Sequence, residues 1–180
     1  MSSTHPPIQV VDIDDNPLRG ATMDEAQIQG LWHRVTGVMV YDVSNEQYLL
    51  QKVAPNPYYS GGKWSLSAAG HVDEGETYIE AAARELQEEM GISGLLLDEH
   101  DYYTKEASSF SVGHERTYRQ FCKVFTAIAD MEVLLVSPER SEVDDVMWIR
   151  KDELYTLATH NSEQMTSSLL RFVKGLQHGD

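Results

Sequence analysis

The 180-residue chain carries 29 acidic against 14 basic residues, a formal charge of -15. That balance opposes long-range attraction to nucleic acid polymers and anionic membranes, and no run of about 18 apolar residues is present to span a bilayer. With 41% hydrophobic residues and a single cysteine, Cys122, the composition predicts one globular domain over residues 1–180, without an intrachain disulfide, in a reducing cytoplasm.

Residues 1–7 read as a flexible tail that lacks the basic and apolar regions of a secretory signal. Residues 8–14 alternate like an edge strand, and Asp15, Asn16, Pro17 and Gly20 supply turn chemistry. Thr22 followed by Glu25 is a capping-box pattern, predicting a short helix over 23–29 that stops at Gly30. The β-branched and aromatic content of 31–41 predicts a strand, with 46–53 as its hairpin partner across the 42–45 turn. Residues 54–63, with Tyr58, Tyr59 and Gly61-Gly62, form a loop whose aromatic surface either borders a site or packs on its own backbone. Further strands are expected over 64–69, 95–104, 117–129 and 143–149. Over 163–176, Met165, Leu169, Phe172, Val173 and Leu176 recur at helical spacing, the pattern of an amphipathic helix covering a sheet face. Strands and helices mix without regular βαβ alternation, which predicts an α/β fold with a mixed sheet.

The most informative stretch is residues 70–92. Thr77 with Glu80 forms a second capping box and Gly91 suits a helix C-terminus, bounding a helix to 78–90. Ile79, Ala82, Ala83, Leu86 and Met90 share one side, the expected buried face, while Glu85, Glu88 and Glu89 share a flank. Carboxylates at these spacings repel one another unless a cation intervenes. Magnesium or manganese takes such oxygen ligands together with substrate phosphates, which suits phosphoanhydride hydrolysis. On spacing alone, a solvated face paired with Lys and Arg is the stronger reading, and an EF-hand calcium loop is a poorer fit.

The same stretch resembles the signature of the Nudix hydrolases, G-x5-E-x7-R-E-U-x-E-E-x-G-U with U a bulky aliphatic. Gly70, Glu76, Arg84, Glu85, Leu86, Glu88, Glu89, Gly91 and Ile92 occupy every fixed position. The resemblance implies an α/β/α sandwich with a mixed β-sheet and a magnesium- or manganese-dependent hydrolase of a small-molecule nucleoside diphosphate derivative. It implies that Glu85, Glu88 and Glu89 bind metal, with the Gly70 carbonyl available, and that Arg84 orients Glu76. The base for the attacking water is Glu85 or Glu142, with Glu139, Asp144 and Asp145 close in sequence to the latter. Lys52 and Lys63 are candidates for the pyrophosphate. Tyr58, Tyr59 and Trp64 are candidates for stacking on a base, and Arg116 and Arg119 either reach substrate or balance surface charge.

The approach Leu31-Trp32-His33-Arg34 and the pair Gly70-His71 also resemble the isopentenyl-diphosphate isomerases, where His33 and His71 would be metal ligands. Against that activity, Ala68-Ala69 stand where those enzymes carry a catalytic cysteine, and the position of its partner glutamate falls on Gln120. A catalytically silent nucleotide-binding module is the third alternative. A homodimer is the expectation from the prevalence of two-fold assemblies.

Overall fold

The computed structural model describes residues 6–55, 60–111 and 113–178. Strand β3 (Trp32–Asp42) organises the sheet. Along one edge it pairs antiparallel first with β1 (Ile8–Val11), then with β6 (Ala68–His71), then with β4 (Gln47–Val53). Along its other edge it runs parallel to β8 (His114–Ile128), from Trp32 opposite Arg119 to Tyr41 opposite Ile128. The short β5 (Trp64–Ser65) and β9 (Val143–Arg150) pair with β4, and β7 (Asp98–Ser111) forms a long hairpin with β8. One parallel pairing among antiparallel ones makes the sheet mixed, as expected.

Each face of the sheet carries its own apolar cluster. Helix α2 (Tyr78–Met90) covers Val38, Val40, Leu49, Phe121 and Phe125 on one face. On the other, Met39, Leu50 and Val124 lie beneath α3 (Lys151–His160) and α4 (Ser167–His178) through Leu154, Leu169, Phe172 and Val173. Helices on both faces of a mixed sheet give the α/β/α sandwich.

Several local expectations change. The strand expected at an edge ends at Val11 and is buried between β3 and β2 (Pro17–Ala21), so Pro17 and Gly20 lie in a strand. The turn contracts to 12–16, where the Asp12 carboxylate accepts from the Asp14 and Asn16 N–H groups. Helix α1 (Met23–Gln29) has the expected bounds, but its capping box is half-made, because Glu25 pairs with Arg19 rather than reaching back to Thr22. The strand expected over 64–69 splits into β5 and β6, as Ser67 turns its hydroxyl between the Val40 N–H and the Leu49 carbonyl. The hairpin strands β7 and β8 run longer toward their connecting turn than expected, pairing as far as Ser111 with His114, whereas residues 95–97 precede β7, with Leu95 and Leu97 packed on the core. Helix α3 had no counterpart among the expected elements. The last helix starts at Ser167, not 163, after a 3-10 turn at Ser162–Gln164; Met165 is buried in extended backbone bridged to Trp64.

Candidate functional site

Helix α2 begins in a complete capping box, with the Thr77 N–H donating to the Glu80 carboxylate at 2.9 Å and Thr77 Oγ1 accepting from the Glu80 N–H at 3.4 Å. It ends at Gly91, whose φ of 69° is left-handed and whose N–H returns to the last turn. Between those caps the buried face is rotated from the expected one. Tyr78 and Ala81 turn inward with Ala82, Leu86 and Met90, while Ile79 and Ala83 are exposed. The rotation carries Glu89 inward as well.

Glu89 is 7% exposed and accepts hydrogen bonds from the Gln51 amide at 2.8 Å and the Ala69 N–H at 2.9 Å. Burial, with the Glu85 charge beside it, pushes its carboxyl up to about 8. Burial likewise pushes Glu85 up to about 7, against the opposing pull of the Arg84 guanidinium. The Glu85 carboxylate lies against Gly70, where a Cβ would overlap it; hydrogen as the side chain is what lets strand and helix approach. Glu88 is the exposed member of the three and meets Arg84 Nη1 at 3.0 Å.

Arg84 ties this flank together. It forks onto both Glu76 oxygens at 3.0 Å, donates to Glu85 at 2.9 Å and reaches the His71 carbonyl at 2.9 Å. Its hydrogen bonds hold the Glu76 carboxyl below the usual range. Arg84 therefore orients Glu76 and restrains the acidic flank at once.

A cavity of about 360 Å³ opens beside Glu89 and Gly70 and continues past Ala69, His71 and Gln120 to Gln27, Lys105 and Thr166. Of the acidic residues in the loop before β9 and at the start of that strand, Glu142 lines this cavity. Glu139 instead accepts from Ser141, Asp144 pairs with Lys52 at 3.5 Å, and Asp145 accepts from the Val146 N–H. The loop is docked on α2 by the Glu139 N–H donating to the Glu89 carbonyl at 2.9 Å.

The two expected phosphate lysines are not on the cavity wall. Lys52 faces Asp144, and Lys63 contributes its backbone to the turn, accepting from the Val53 N–H at 2.9 Å. The lysine among the described lining residues is Lys105, which sequence reasoning missed because its place there depends on the β7–β8 register, Lys105 opposite Gln120. Arg116 is 2% exposed and pairs with Asp24 and Gln27, and Arg119 pairs with Glu106. Trp64 packs against the cluster beneath α4. Tyr58 and Tyr59 lie outside the described residues, as do residues 1–5 of the expected tail.

His33 and His71 stack with centroids 5.4 Å apart. His33 Nδ1 faces the Leu31 carbonyl at 2.9 Å, and a carbonyl only accepts, so that nitrogen carries the proton. Burial lowers the His33 pKa and favours the neutral ring, whose Nε2 then accepts from the Gln120 amide at 3.3 Å. His33 thus has no lone pair left over. His71 keeps an enclosed Nε2 with no partner among the described residues, and burial, then the charges of His33 and Arg84, push its pKa down to about 3.

Among the described residues no three Asp, Glu, His or Cys side chains already converge into a metal-binding cluster. The chemistry of the donors still suits a hard divalent cation. Burial raises the proton affinity of Glu85 and Glu89, and both are oxygen donors beside a strand backbone.

The chain is 32% identical over 171 residues to an isopentenyl-diphosphate Δ-isomerase of Serratia proteamaculans, covering 93% of this chain and 89% of that one. It is 33% identical over 132 residues to an uncharacterised Nudix hydrolase of Pseudomonas aeruginosa, covering 73% of each. A Deinococcus radiodurans protein of known structure shares the fold at a TM-score of 0.68 and 18% identity, covering 93% of this chain and 96% of its own. The sequence model of the NUDIX domain matches residues 31–169, the span that contains β3 and the capped acidic helix, and the chain therefore belongs to the NUDIX domain family.

Proposed function

We propose that the chain, acting as one catalytic unit, hydrolyses a phosphoanhydride bond in a nucleoside diphosphate derivative with the help of magnesium or manganese. The observation that carries this reading is the pair of desolvated carboxylates, Glu85 set against Gly70 and Glu89 on the Ala69 N–H, with Glu89 and Gly70 both lining the cavity. Glu85, Glu89 and the Gly70 carbonyl would hold the cation, with exposed Glu88 beside them. A bound divalent cation supplies charge neutralisation and Lewis acidity for the phosphate chain. Arg84 keeps Glu85 in place through the Glu76 brace. Glu142, on the cavity wall, takes a proton from the attacking water. The water oxygen bonds to phosphorus, and the bridging oxygen leaves with the electron pair of the broken P–O bond, giving two phosphate-bearing products.

Substitution Glu142→Gln is expected to lower kcat by about 10² to 10⁴-fold, the usual contribution of a general base. Glu85→Gln and Glu89→Gln should abolish magnesium-dependent turnover while leaving the circular dichroism spectrum intact. Undiminished turnover in the Glu89→Gln variant would remove the assignment.

The long alignment with an isopentenyl-diphosphate isomerase favours a second reading, proton transfer across a double bond. That reaction needs an acid and a base, and the cavity presents Ala69 and Gln120 at the two positions concerned. Proton exchange into isopentenyl diphosphate without phosphate release would establish the isomerase; phosphate release without exchange supports the hydrolase.

A further inference from the structure

The cavity is bounded away from α2 by Gln27 of α1, Lys105 of β7 and the first turn of α4. Gln27 is 1% exposed, and its Oε1 accepts from Arg116 Nη1 at 2.9 Å. A guanidinium can only donate, so the amide orientation is settled: oxygen toward Arg116, NH2 away from it. That Nε2 is enclosed and has no partner among the described residues. Buried donors are nearly always paired, and an unpaired one on a residue that lines the cavity marks a place for an acceptor.

Helix α4 presents donors to the same space. The Thr166 hydroxyl accepts from the Leu169 N–H at 3.3 Å and its carbonyl from the Leu170 N–H at 3.0 Å. The Ser167 and Ser168 N–H groups, at the start of the helix, have no helical acceptor ahead of them. Their positive end of the helix dipole favours an anion. The Ser65 hydroxyl sits 3.3 Å from that of Thr166, and Lys105 adds an ammonium. In a chain of net charge -15, this gathers amide, hydroxyl, helix-terminal and ammonium donors on one wall.

We propose that this wall is a second anion subsite, in which Gln27, Lys105 and the α4 N-terminus bind a phosphate group carried on the part of the substrate beyond the scissile anhydride. The proposal rests on the hydrolase reading and narrows it to substrates whose leaving group bears a further phosphate. Gln27 and Lys105 are then specificity residues, remote from the reacting phosphorus.

Two measurements test it. In the first, metal-free protein in excess EDTA is titrated calorimetrically with inorganic phosphate; without metal no cation at the Glu85 and Glu89 end can hold phosphate, so binding reports the subsite. Saturable binding that weakens about tenfold or more, 1.4 kcal/mol, in both Gln27→Leu and Lys105→Met is the expected result. No binding to the wild type, or unchanged affinity in both variants, overturns the subsite. Two variants on different elements guard against one that fails to fold. In the second, turnover is compared on two nucleoside diphosphate derivatives that differ by one phosphate on the leaving group. Gln27→Leu should raise KM about tenfold for the phosphorylated member alone, with kcat held within about twofold. Equal KM changes on both members overturn the proposal. Absence of wild-type turnover on every substrate would count against the hydrolase reading, and the phosphate titration would then decide the subsite by itself.

Discussion

Arg84 and Glu89 show how single side chains set the properties of this site. The Arg84 guanidinium serves Glu76, Glu85, Glu88 and the His71 carbonyl through a planar fork that lysine lacks. Arg84→Lys keeps the charge but loses the brace, and metal affinity, measured by titration of manganese, is expected to fall by about 10- to 100-fold. For Glu89, the ordinary carboxyl value of 4.5 rises to about 8 in the fold. Between those values the folded chain holds a proton that the unfolded chain has lost, so stability of the metal-free protein falls as pH rises through this window and levels off above it. The melting temperature in EDTA should therefore decline from about pH 5 to about pH 8. Glu89→Gln should flatten the decline; an increase across that window in the wild type would contradict it.

At the scale of elements, α2 is placed by its ends. Gly91 adopts a φ of 69°, and a Cβ there would meet Ser137 Cβ and the Ser137 carbonyl, each at 3.0 Å. Gly91→Ala combines a left-handed alanine with that contact and should cost about 1–2 kcal/mol or more, read from urea unfolding. Because the 137–142 loop is hydrogen-bonded to this helix end, the same substitution should disturb Glu142 and lower activity. The caps of α1 and α2 and their bounds were legible from Thr22, Gly30, Thr77 and Gly91, since capping is a contact between residues three or four apart. The buried face of α2 was less so. Counting apolar residues puts Ile79 and Ala83 inside, yet Tyr78 turns in to donate to Asp15 and Glu89 turns in toward Gln51, partners 63 and 38 residues distant in the chain.

For the whole molecule, the sheet separates two apolar clusters and the cavity reaches around it, from α2 on one face to α4 on the other. Leu169, fully buried in the second cluster two residues after Ser167, couples core and site. Leu169→Ala should destabilise by about 2–5 kcal/mol in urea unfolding, the range for emptying a buried leucine site. If α4 stands in the wall of the substrate cavity as described, that variant should also raise KM more than it lowers kcat.

The acidic motif, its caps and the mixed α/β pattern could be read along the chain because each depends on residue type at fixed short spacing. That spacing singled out Glu85, Glu88 and Glu89, and the family resemblance added Arg84 and Glu142, without ranking them. Their ranking came from packing: burial separates Glu89 from exposed Glu88, and the turn before β9 brings Glu142 to the cavity while Asp144 pairs with Lys52. Lys105 replaces Lys52 and Lys63 on that wall for the same reason. Desolvation and long-range register depend on groups far apart in sequence, so folding alone decides which charges share the site.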